Sequence, residues 1–200
     1  MDRILVALRI YPGKVKRPLN GYPDDKLKLV TLSIHQLRDS LKKYDYKIIL
    51  INDGFNEGDI NLILGPVRAD ILEIINTGGI GNYATFELQI SKLLENPEFN
   101  YLYFAEDDYL YLENFVDLNL QLLNKFHYAT GYYHPDYENL NLHKSCLLKE
   151  DCPQITTTCS FWTTRRVLLQ DVTRLHMYRK LGDLGFWLLL TCSFRQILYP

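Results

Sequence analysis

Short apolar runs alternate along the first half of the chain with segments in which apolar residues recur every three or four positions. The strand-like runs lie at residues 4–8, 48–51, 72–75 and 101–105. The segments with helical periodicity lie at about residues 27–41, 60–64, 82–94 and 113–126. Because runs of four or five apolar residues are typical of strands, and spacings of three or four are typical of helices, strand and helix alternate four times.

This alternation predicts an α/β fold built on a single, mostly parallel sheet with helices on its faces. The second half is less regular, with strands expected near residues 127–133 and 155–162 and helices near 164–175 and 184–191. No linker or change of composition divides the sequence. We therefore expect one domain over residues 1–200, consisting of a regular half (1–115) and a less regular half (116–200).

Composition excludes several classes of protein. The chain has 200 residues, 47% of them hydrophobic and 23% charged, which is ordinary for a globular protein. Its formal net charge of -2 predicts no nucleic acid or other polyanion as a partner, so any nucleotide must be held by a local site.

The cysteines and the apolar segments bear on location. Cys146, Cys152, Cys159 and Cys192 lack the paired spacing of a metal site, which favours free thiols in a reducing compartment such as the cytoplasm. The amino terminus leads directly into the first strand, so no signal peptide is expected. The apolar run at residues 186–190 is far shorter than the ~20 residues of a membrane span and predicts a buried helix.

Three consecutive carboxylates, Glu106-Asp107-Asp108, follow the fourth apolar run. Their mutual repulsion raises their pKa values unless a cation or hydrogen-bond donors relieve it. Mg²⁺ and Mn²⁺ are suited to this, since they prefer oxygen ligands and commonly take one or two carboxylates together with substrate phosphates. The triplet is a candidate metal–diphosphate site, and the alternative is a solvated junction between strand and loop.

Two further motifs follow the second and third strands. Asp53, in Asn52-Asp53-Gly54, is positioned to accept a hydrogen bond from a base or ribose, or simply to form an Asp-Gly turn. The Gly-rich stretch Asn76–Asn82 opens a helix. Such a loop allows close approach of a ligand, and a helix start favours an anion; the alternative is a connection with a helix cap at Asn82. Ligands of parallel sheets bind at the carboxyl ends of strands, where all three motifs lie.

In this order, the motifs resemble the family-two glycosyltransferases with the GT-A fold. Asn52-Asp53-Gly54 matches the Asp-Asp-Gly-Ser type motif, Asn76-Thr77-Gly78 the Asn-x-Gly loop, and Glu106-Asp107-Asp108 the Asp-x-Asp type motif. The resemblance covers roughly residues 4–115. It implies a nucleotide-diphospho-sugar donor of the UDP, GDP or TDP type and a glycan, lipid-linked or protein acceptor.

The resemblance also implies a role for each matched residue. Asp53 would contact the nucleotide base, and Arg9 at the exit of the first strand would flank the same pocket. Asn76 and Gly78 would belong to the loop that binds the donor.

In the acidic triplet, Asp108 would bind Mn²⁺ or Mg²⁺ most directly. Glu106 and Asp107 would lie near the ribose or the metal. The sequence departs from the family in having Arg9-Ile10-Tyr11-Pro12 in place of Pro-x-Tyr-Asn, and in beginning the triplet with Glu.

Enzymes of this family mostly invert the anomeric carbon, with an acidic base that follows the metal motif near a helix start. Asp183 fits that position, and a simple helix cap is the alternative. Asp136 and Glu138 are rival bases, and His134 is a metal or diphosphate candidate that is also typical of a surface loop.

Two other segments have two interpretations each. Residues 156–158 with Phe161 and Trp162 would either line an acceptor pocket or form a packed strand. Arg165-Arg166 would either face a diphosphate or, as we favour, begin a solvated helix.

Two other functions compete with sugar transfer. A sugar-phosphate nucleotidyltransferase has a related sheet, but it is expected to carry a Gly-rich, basic signature after the first strand, which residues 11–17 match poorly. A non-catalytic nucleotide- or carbohydrate-binding module would use the tyrosine-rich surface without a base.

Overall fold

The structure is a computed structural model that describes residues 3–14, 25–66, 68–131, 158–191 and 197–198. In these ranges one sheet contains the strands β1 (Arg3–Ile10), β2 (Asp45–Asn52), β3 (Ile71–Asn76), β4 (Tyr101–Glu106), β5 (Tyr128–Ala129), β6 (Phe161–Thr164) and β7 (Ile197–Leu198). The helices are α1 (Lys26–Leu41), α2 (Glu57–Leu64), α3 (Asn82–Glu95), α4 (Phe115–Leu123), α5 (Arg165–Leu175) and α6 (Tyr178–Thr191).

The strands are ordered β3-β2-β1-β4-β6-β5-β7 across the sheet. The first four strands in this order run parallel, β6 is antiparallel to both β4 and β5, and β5 is parallel to β7. The predicted α/β fold with a mostly parallel sheet is therefore confirmed. The antiparallel β6 lies in the half of the chain that was expected to be less regular.

The alternating side chains of β1 pack against a layer of helices on each face of the sheet. Leu5 and Ala7 belong to one buried cluster, which also contains residues of α3, α5 and α6. Ile4, Val6 and Leu8 belong to the other, which contains residues of α1, α2 and α4. Burial on both faces explains why residues 4–8 of β1 form an unbroken apolar run in the sequence.

Helix α6 differs from the predicted helix 184–191 by starting at Tyr178 and bending at Gly182. Gly182 has φ 63° and ψ -175°, a conformation that residues with a Cβ atom rarely adopt. The chain therefore starts a new helical segment at Asp183, and Phe186, Trp187 and Leu190 are buried as expected. Along the stretches that are described, no helix has both the length and the apolar character to span a membrane.

Arg165 corrects the expectation of a solvated helix start. Its guanidinium donates to the carbonyl oxygens of Phe99 (2.8 Å), Leu93 (2.6 Å) and Leu94 (3.3 Å), and to that of Asn96. These are the carbonyls at the carboxyl end of α3 and in the turn that follows. A cation there interacts favourably with the helix dipole, so Arg165 joins α3 to α5 and does not face a diphosphate.

Candidate active site

The carboxyl ends of β1, β2, β3 and β4 form one edge of the sheet, because these strands are parallel. Arg9 of β1 lies opposite Glu106 of β4, and Asn52 of β2 lies opposite Asn76 of β3. Asp53 follows directly after β2. The polar residues that the sequence placed at strand ends are thus neighbours along one edge.

Asp53 is engaged by the Gly-rich loop. Its Oδ1 atom accepts hydrogen bonds from Thr77 Oγ1 (2.5 Å) and from the backbone N–H groups of Gly79 (3.0 Å) and Ile80 (2.7 Å). Its Oδ2 atom accepts from the N–H of Gly81 (2.9 Å). Burial by itself would raise the pKa of Asp53, but these four donors stabilise the carboxylate and lower its pKa from the ordinary value.

The loop needs its glycines for their backbone conformation. Gly78, Gly79 and Gly81 have φ of 70°, 94° and 87°. At Gly81, the N-cap of α3, ψ is 173°, a combination that is essentially restricted to glycine. The glycines therefore allow the loop to turn its N–H groups toward Asp53 and to start α3 at this edge. Asn76 supports the same turn by accepting a hydrogen bond from Asn52 Nδ2 (2.8 Å).

Arg9 and Glu106 form a partly buried ion pair at the centre of the edge. Arg9 Nη2 lies 2.7 Å from Glu106 Oε1, and only 6% of the Arg9 side chain is exposed. Arg9 Nη1 donates to both the carbonyl oxygen (2.8 Å) and the Oδ1 atom (2.5 Å) of Asn82. The guanidinium also lies over the ring of Phe86, 5.7 Å from its centroid. Arg9 thus connects β1 with β4 and with the start of α3.

Glu106 has an unusual electrostatic environment. Burial raises its pKa to about 7 despite the opposing charge of Arg9, and Asp108, Asp183 and Asp107 add to the rise. Glu106 therefore lies where negative charge is concentrated. A bound cation would relieve this repulsion.

The other two carboxylates of the triplet differ from each other. Asp107 is buried and accepts hydrogen bonds from the N–H of Tyr11 (2.7 Å) and from Lys26 Nζ (2.7 Å). Burial raises the pKa of Asp107, with Lys26 opposing the change. Asp108 is exposed, and it makes no hydrogen bond or ion pair with any residue in the ranges above.

This edge fits a divalent metal that shares its coordination with a substrate. In the ranges described, no cluster of three or more His, Cys, Asp and Glu side chains forms a complete metal site. Asp108 nevertheless offers a free carboxylate, and Glu106 uses only Oε1 for Arg9. One or two carboxylates completed by phosphate oxygens are an ordinary arrangement for Mg²⁺ and Mn²⁺.

Asp183 joins the same group of residues from the carboxyl-terminal half. Its Oδ1 atom accepts hydrogen bonds from the Tyr178 hydroxyl (2.7 Å) and the Cys159 thiol (3.3 Å). The Tyr178 hydroxyl accepts from Asn82 Nδ2 (2.9 Å), and Asn82 in turn contacts Arg9. The Asp183 side chain therefore does not act as a simple helix cap. It faces the carboxyl edge of the sheet.

Three residues of this network were not predicted as site residues. Asn82 was expected as a helix cap, but Gly81 is the N-cap and the Asn82 side chain is turned toward Arg9 and Tyr178. Tyr178 is one of 15 tyrosines and carries no motif of its own. Cys159 is a buried free thiol, as expected, and burial raises its pKa well above the ordinary value.

Two of the remaining candidates, Phe161 and Trp162, do not join the site. Phe161 and Trp162 belong to the core, where they stack on Phe104 (4.4 Å) and Tyr103 (4.5 Å) respectively. The packed-strand interpretation of these two residues is therefore correct. The rival residues His134, Asp136 and Glu138 lie outside the described residues, as do residues 156 and 157 and the cysteines 146, 152 and 192.

No protein-family model matches the chain, and no curated protein matches its sequence. Solved structures, in contrast, are similar to the chain in fold. A protein described as a nucleotide-diphospho-sugar transferase, from Desulfovibrio desulfuricans G20, is similar over 100% of this chain and 80% of its own, with a TM-score of 0.59 and 12% identity. A mannosyltransferase from Pyrobaculum calidifontis, in complex with GDP-Man and Mn²⁺, is similar over 98% of this chain and 54% of its own (TM-score 0.61, 10% identity).

The chain has the GT-A-like fold of the nucleotide-diphospho-sugar transferases. The same fold also occurs with cytidylyl chemistry. The 4-diphosphocytidyl-2C-methyl-D-erythritol synthase from Anaerococcus prevotii DSM 20548 is similar over 100% of this chain and 88% of its own, with a TM-score of 0.59 and 10% identity. At these identities the similarity shows the fold alone, and the reaction must be argued from the site.

Proposed function

We propose that this GT-A-like protein is a glycosyltransferase that moves a sugar from a nucleotide-diphospho-sugar to an acceptor hydroxyl, with inversion and with Mn²⁺ or Mg²⁺. The observation that carries the proposal is the position of Asp183 at the carboxyl edge, where hydrogen bonds through Tyr178 and Asn82 link it to Arg9 and its charge acts on Glu106. An edge that only binds a nucleotide would suit either sugar transfer or nucleotidyl transfer. A carboxylate from the other half of the chain supplies what sugar transfer needs in addition, which is a base.

The reaction would be a single displacement. Asp183 accepts the proton of the acceptor hydroxyl through Oδ2, and the acceptor oxygen forms a bond to the anomeric carbon. The bond from that carbon to the terminal phosphate oxygen of the donor breaks, and the nucleoside diphosphate leaves with the electron pair. A divalent metal at Asp108 and Glu106 would neutralise the charge that develops on the leaving diphosphate.

The donor side would be formed by the loop and the strand ends. The Gly78 loop offers backbone close to the ligand, Asn76 supports its turn, and Arg9 holds Glu106. We retain Asp53 as a contact of the nucleotide base and Asp107 as a residue near the ribose. Their existing contacts favour a role in shaping the pocket, because Asp53 already accepts four hydrogen bonds and Asp107 two.

The first experiment separates donor binding from transfer. Thermal unfolding of the protein would be followed with UDP, GDP, TDP or CMP, with and without Mn²⁺. We expect one diphosphate to stabilise the protein only with Mn²⁺, since a ligand bound by the native state raises stability by mass action. Asp108→Asn should remove most of the shift. Asp39→Asn is a matched control, because it makes the same chemical change at an exposed position on α1.

Catalysis would then be measured as nucleoside diphosphate released from the corresponding donor sugar with a panel of acceptor sugars. Asp183→Asn should bind donor normally and keep only a small residual rate of transfer. No metal-dependent shift with any nucleotide would refute the proposal. Full turnover by Asp183→Asn would remove Asp183 from the role of base.

The structural similarity to a protein described as a cytidylyltransferase supports nucleotidyl transfer as a second candidate. Such an enzyme would release pyrophosphate from a nucleoside triphosphate in the presence of a sugar phosphate. It would not need Asp183 as a base for a sugar hydroxyl. Pyrophosphate release that persists in Asp183→Asn would favour this candidate.

A further inference from the structure

A line of hydrogen bonds with a fixed direction connects Arg9 to Asp183. Arg9 can only donate hydrogen bonds, so the Asn82 side-chain atom that lies 2.5 Å from it must be the amide oxygen. The Asn82 amide nitrogen then faces Tyr178 and donates to its hydroxyl at 2.9 Å. The hydroxyl donates its single proton to Asp183 Oδ1 at 2.7 Å.

The two oxygens of Asp183 are therefore not equivalent. Oδ1 accepts hydrogen bonds from both the Tyr178 hydroxyl and the Cys159 thiol. Oδ2 makes no hydrogen bond with any residue in the described part of the chain. A carboxylate that is held through one oxygen presents the other in a defined direction, with a free lone pair for a substrate proton.

We propose that Tyr178 is a positioning residue that, oriented by Asn82, holds Asp183 through Oδ1 so that Oδ2 takes the acceptor proton. This inference rests on the proposed function, in which Asp183 is the base. It also links the two halves of the reaction, since Arg9 pairs with Glu106 on the donor side and orients Asn82 on the acceptor side.

The Tyr178 ring is packed independently of its hydroxyl. It lies 4.5 Å from the ring of Phe86, 5.2 Å from that of Tyr83 and 5.7 Å from that of Phe186, measured between centroids. Tyr178→Phe therefore removes the hydrogen bonds and keeps the aromatic contacts. Burial, together with the nearby Cys159 and Asp183, raises the pKa of Tyr178, so its hydroxyl stays protonated and able to donate.

Tyr178→Phe is expected to lower kcat by about 10- to 100-fold, since correct orientation of a general base accounts for part of its ~10²–10⁴-fold effect. The KM for the donor sugar should stay within about twofold, because uniform binding is not affected. Tyr83→Phe is the matched control. The Tyr83 ring contacts Tyr178, but the Tyr83 hydroxyl is not part of the line of hydrogen bonds. The kcat of Tyr83→Phe should therefore match that of the wild type.

A second measurement tests whether the hydroxyl acts through Asp183. In an Asp183→Asn background, Tyr178→Phe should cause no further loss of the residual rate, since residues that act as one unit are not additive. A full additional loss would show that Tyr178 acts by another route and would overturn the inference.

The two proposals fail in different ways. If Asp183→Asn removes most of the transfer activity but Tyr178→Phe keeps a wild-type kcat, the positioning role is wrong and the proposed function stands. If Tyr178→Phe lowers donor affinity and thermal stability in proportion to activity, the residue is structural and the inference is also wrong. If the wild-type protein transfers no sugar, the proposed function itself fails.

Discussion

Asp53→Asn separates two roles for this aspartate, because the change is isosteric but alters what the side chain can accept. In the wild-type protein, three donors converge on Oδ1 and the N–H of Gly81 points at Oδ2. In the variant, the amide oxygen can occupy only one of these positions. If it replaces Oδ1, the amide nitrogen faces the Gly81 N–H, and two donors meet without an acceptor.

The expected cost follows from those contacts. A hydrogen bond to a charged group is worth ~1.5–3 kcal/mol and a neutral one ~1 kcal/mol, so loss of the charge weakens each of the three bonds at Oδ1. The Gly81 N–H loses its partner, and such a loss costs ~1–3 kcal/mol for a buried group, less here because the loop is partly exposed. We expect Asp53→Asn to lower the free energy of unfolding by about 2–4 kcal/mol.

For a domain of this size, that loss corresponds to a fall in Tm of about 4–16 °C, measured by calorimetry without any nucleotide. Asp39→Asn makes the same chemical change at an exposed site and should stay within about 0.5 kcal/mol of the wild type. A normal Tm combined with weaker nucleotide binding in Asp53→Asn would refute the structural role and favour direct contact with the base.

The pH dependence of stability gives an independent check. The hydrogen bonds lower the pKa of folded Asp53 below the ordinary value of 3.8, so folding favours the ionised form. The stabilisation is fully present above pH 3.8 and is lost as the pH falls through the lower pKa of the folded state. The stability difference between wild type and Asp53→Asn should therefore shrink only in that acidic window.

Three further substitutions test the scaffold. Arg165→Met should lower stability by about 3 kcal/mol in chemical denaturation, because four carbonyls at the end of α3 and in the turn that follows lose a charged donor. Arg166→Met, at an exposed position, should have little effect. Gly182→Ala should cost about 1–3 kcal/mol through its backbone conformation alone (φ 63°, ψ -175°), since no atom lies within 4 Å of an added Cβ. Asp70→Asn should weaken the pairing with Arg38, now 2.7 Å, and lower the Tm.

The sequence predicted the fold of the first half well because burial there is simple. Each strand from β1 to β4 has an apolar run in the sequence, and each helix between them has one apolar face. The exposure of Leu72 (44%) and Ile74 (37%) could not be predicted in this way, since β3 reads as apolar but lies at the edge of the sheet. Strand order is a property of the whole sheet and is not encoded locally.

The site was less predictable because its contacts are long-range. Asp183 could be proposed from its place before an apolar helix, but its partner Tyr178 is one tyrosine among many and depends on the bend at Gly182. Asn82 looked like a helix cap, since Asn often has that role. In the structure the charged donor Arg9, from 73 residues away, competes successfully for its side-chain oxygen.

The acidic triplet shows how neighbouring carboxylates acquire different roles from their surroundings. Asp107 is neutralised by Lys26 and held by the Tyr11 N–H, which fixes the chain after β1 against β4. Glu106 shares its charge with Arg9 through one oxygen, so only Oε2 remains for a ligand.

Asp108 is exposed and has no partner among the residues that the structure describes, so it is free to form a metal bond without breaking an existing contact. Metal affinity should therefore depend most on Asp108. Asp108→Asn should remove most of the Mn²⁺-dependent stabilisation by a nucleotide at unchanged apo Tm, whereas Asp107→Asn should lower the apo Tm, because it weakens the contacts with Lys26 and Tyr11. The reverse pattern, with a normal Tm and lost metal dependence in Asp107→Asn, would show that Asp107 is the metal ligand.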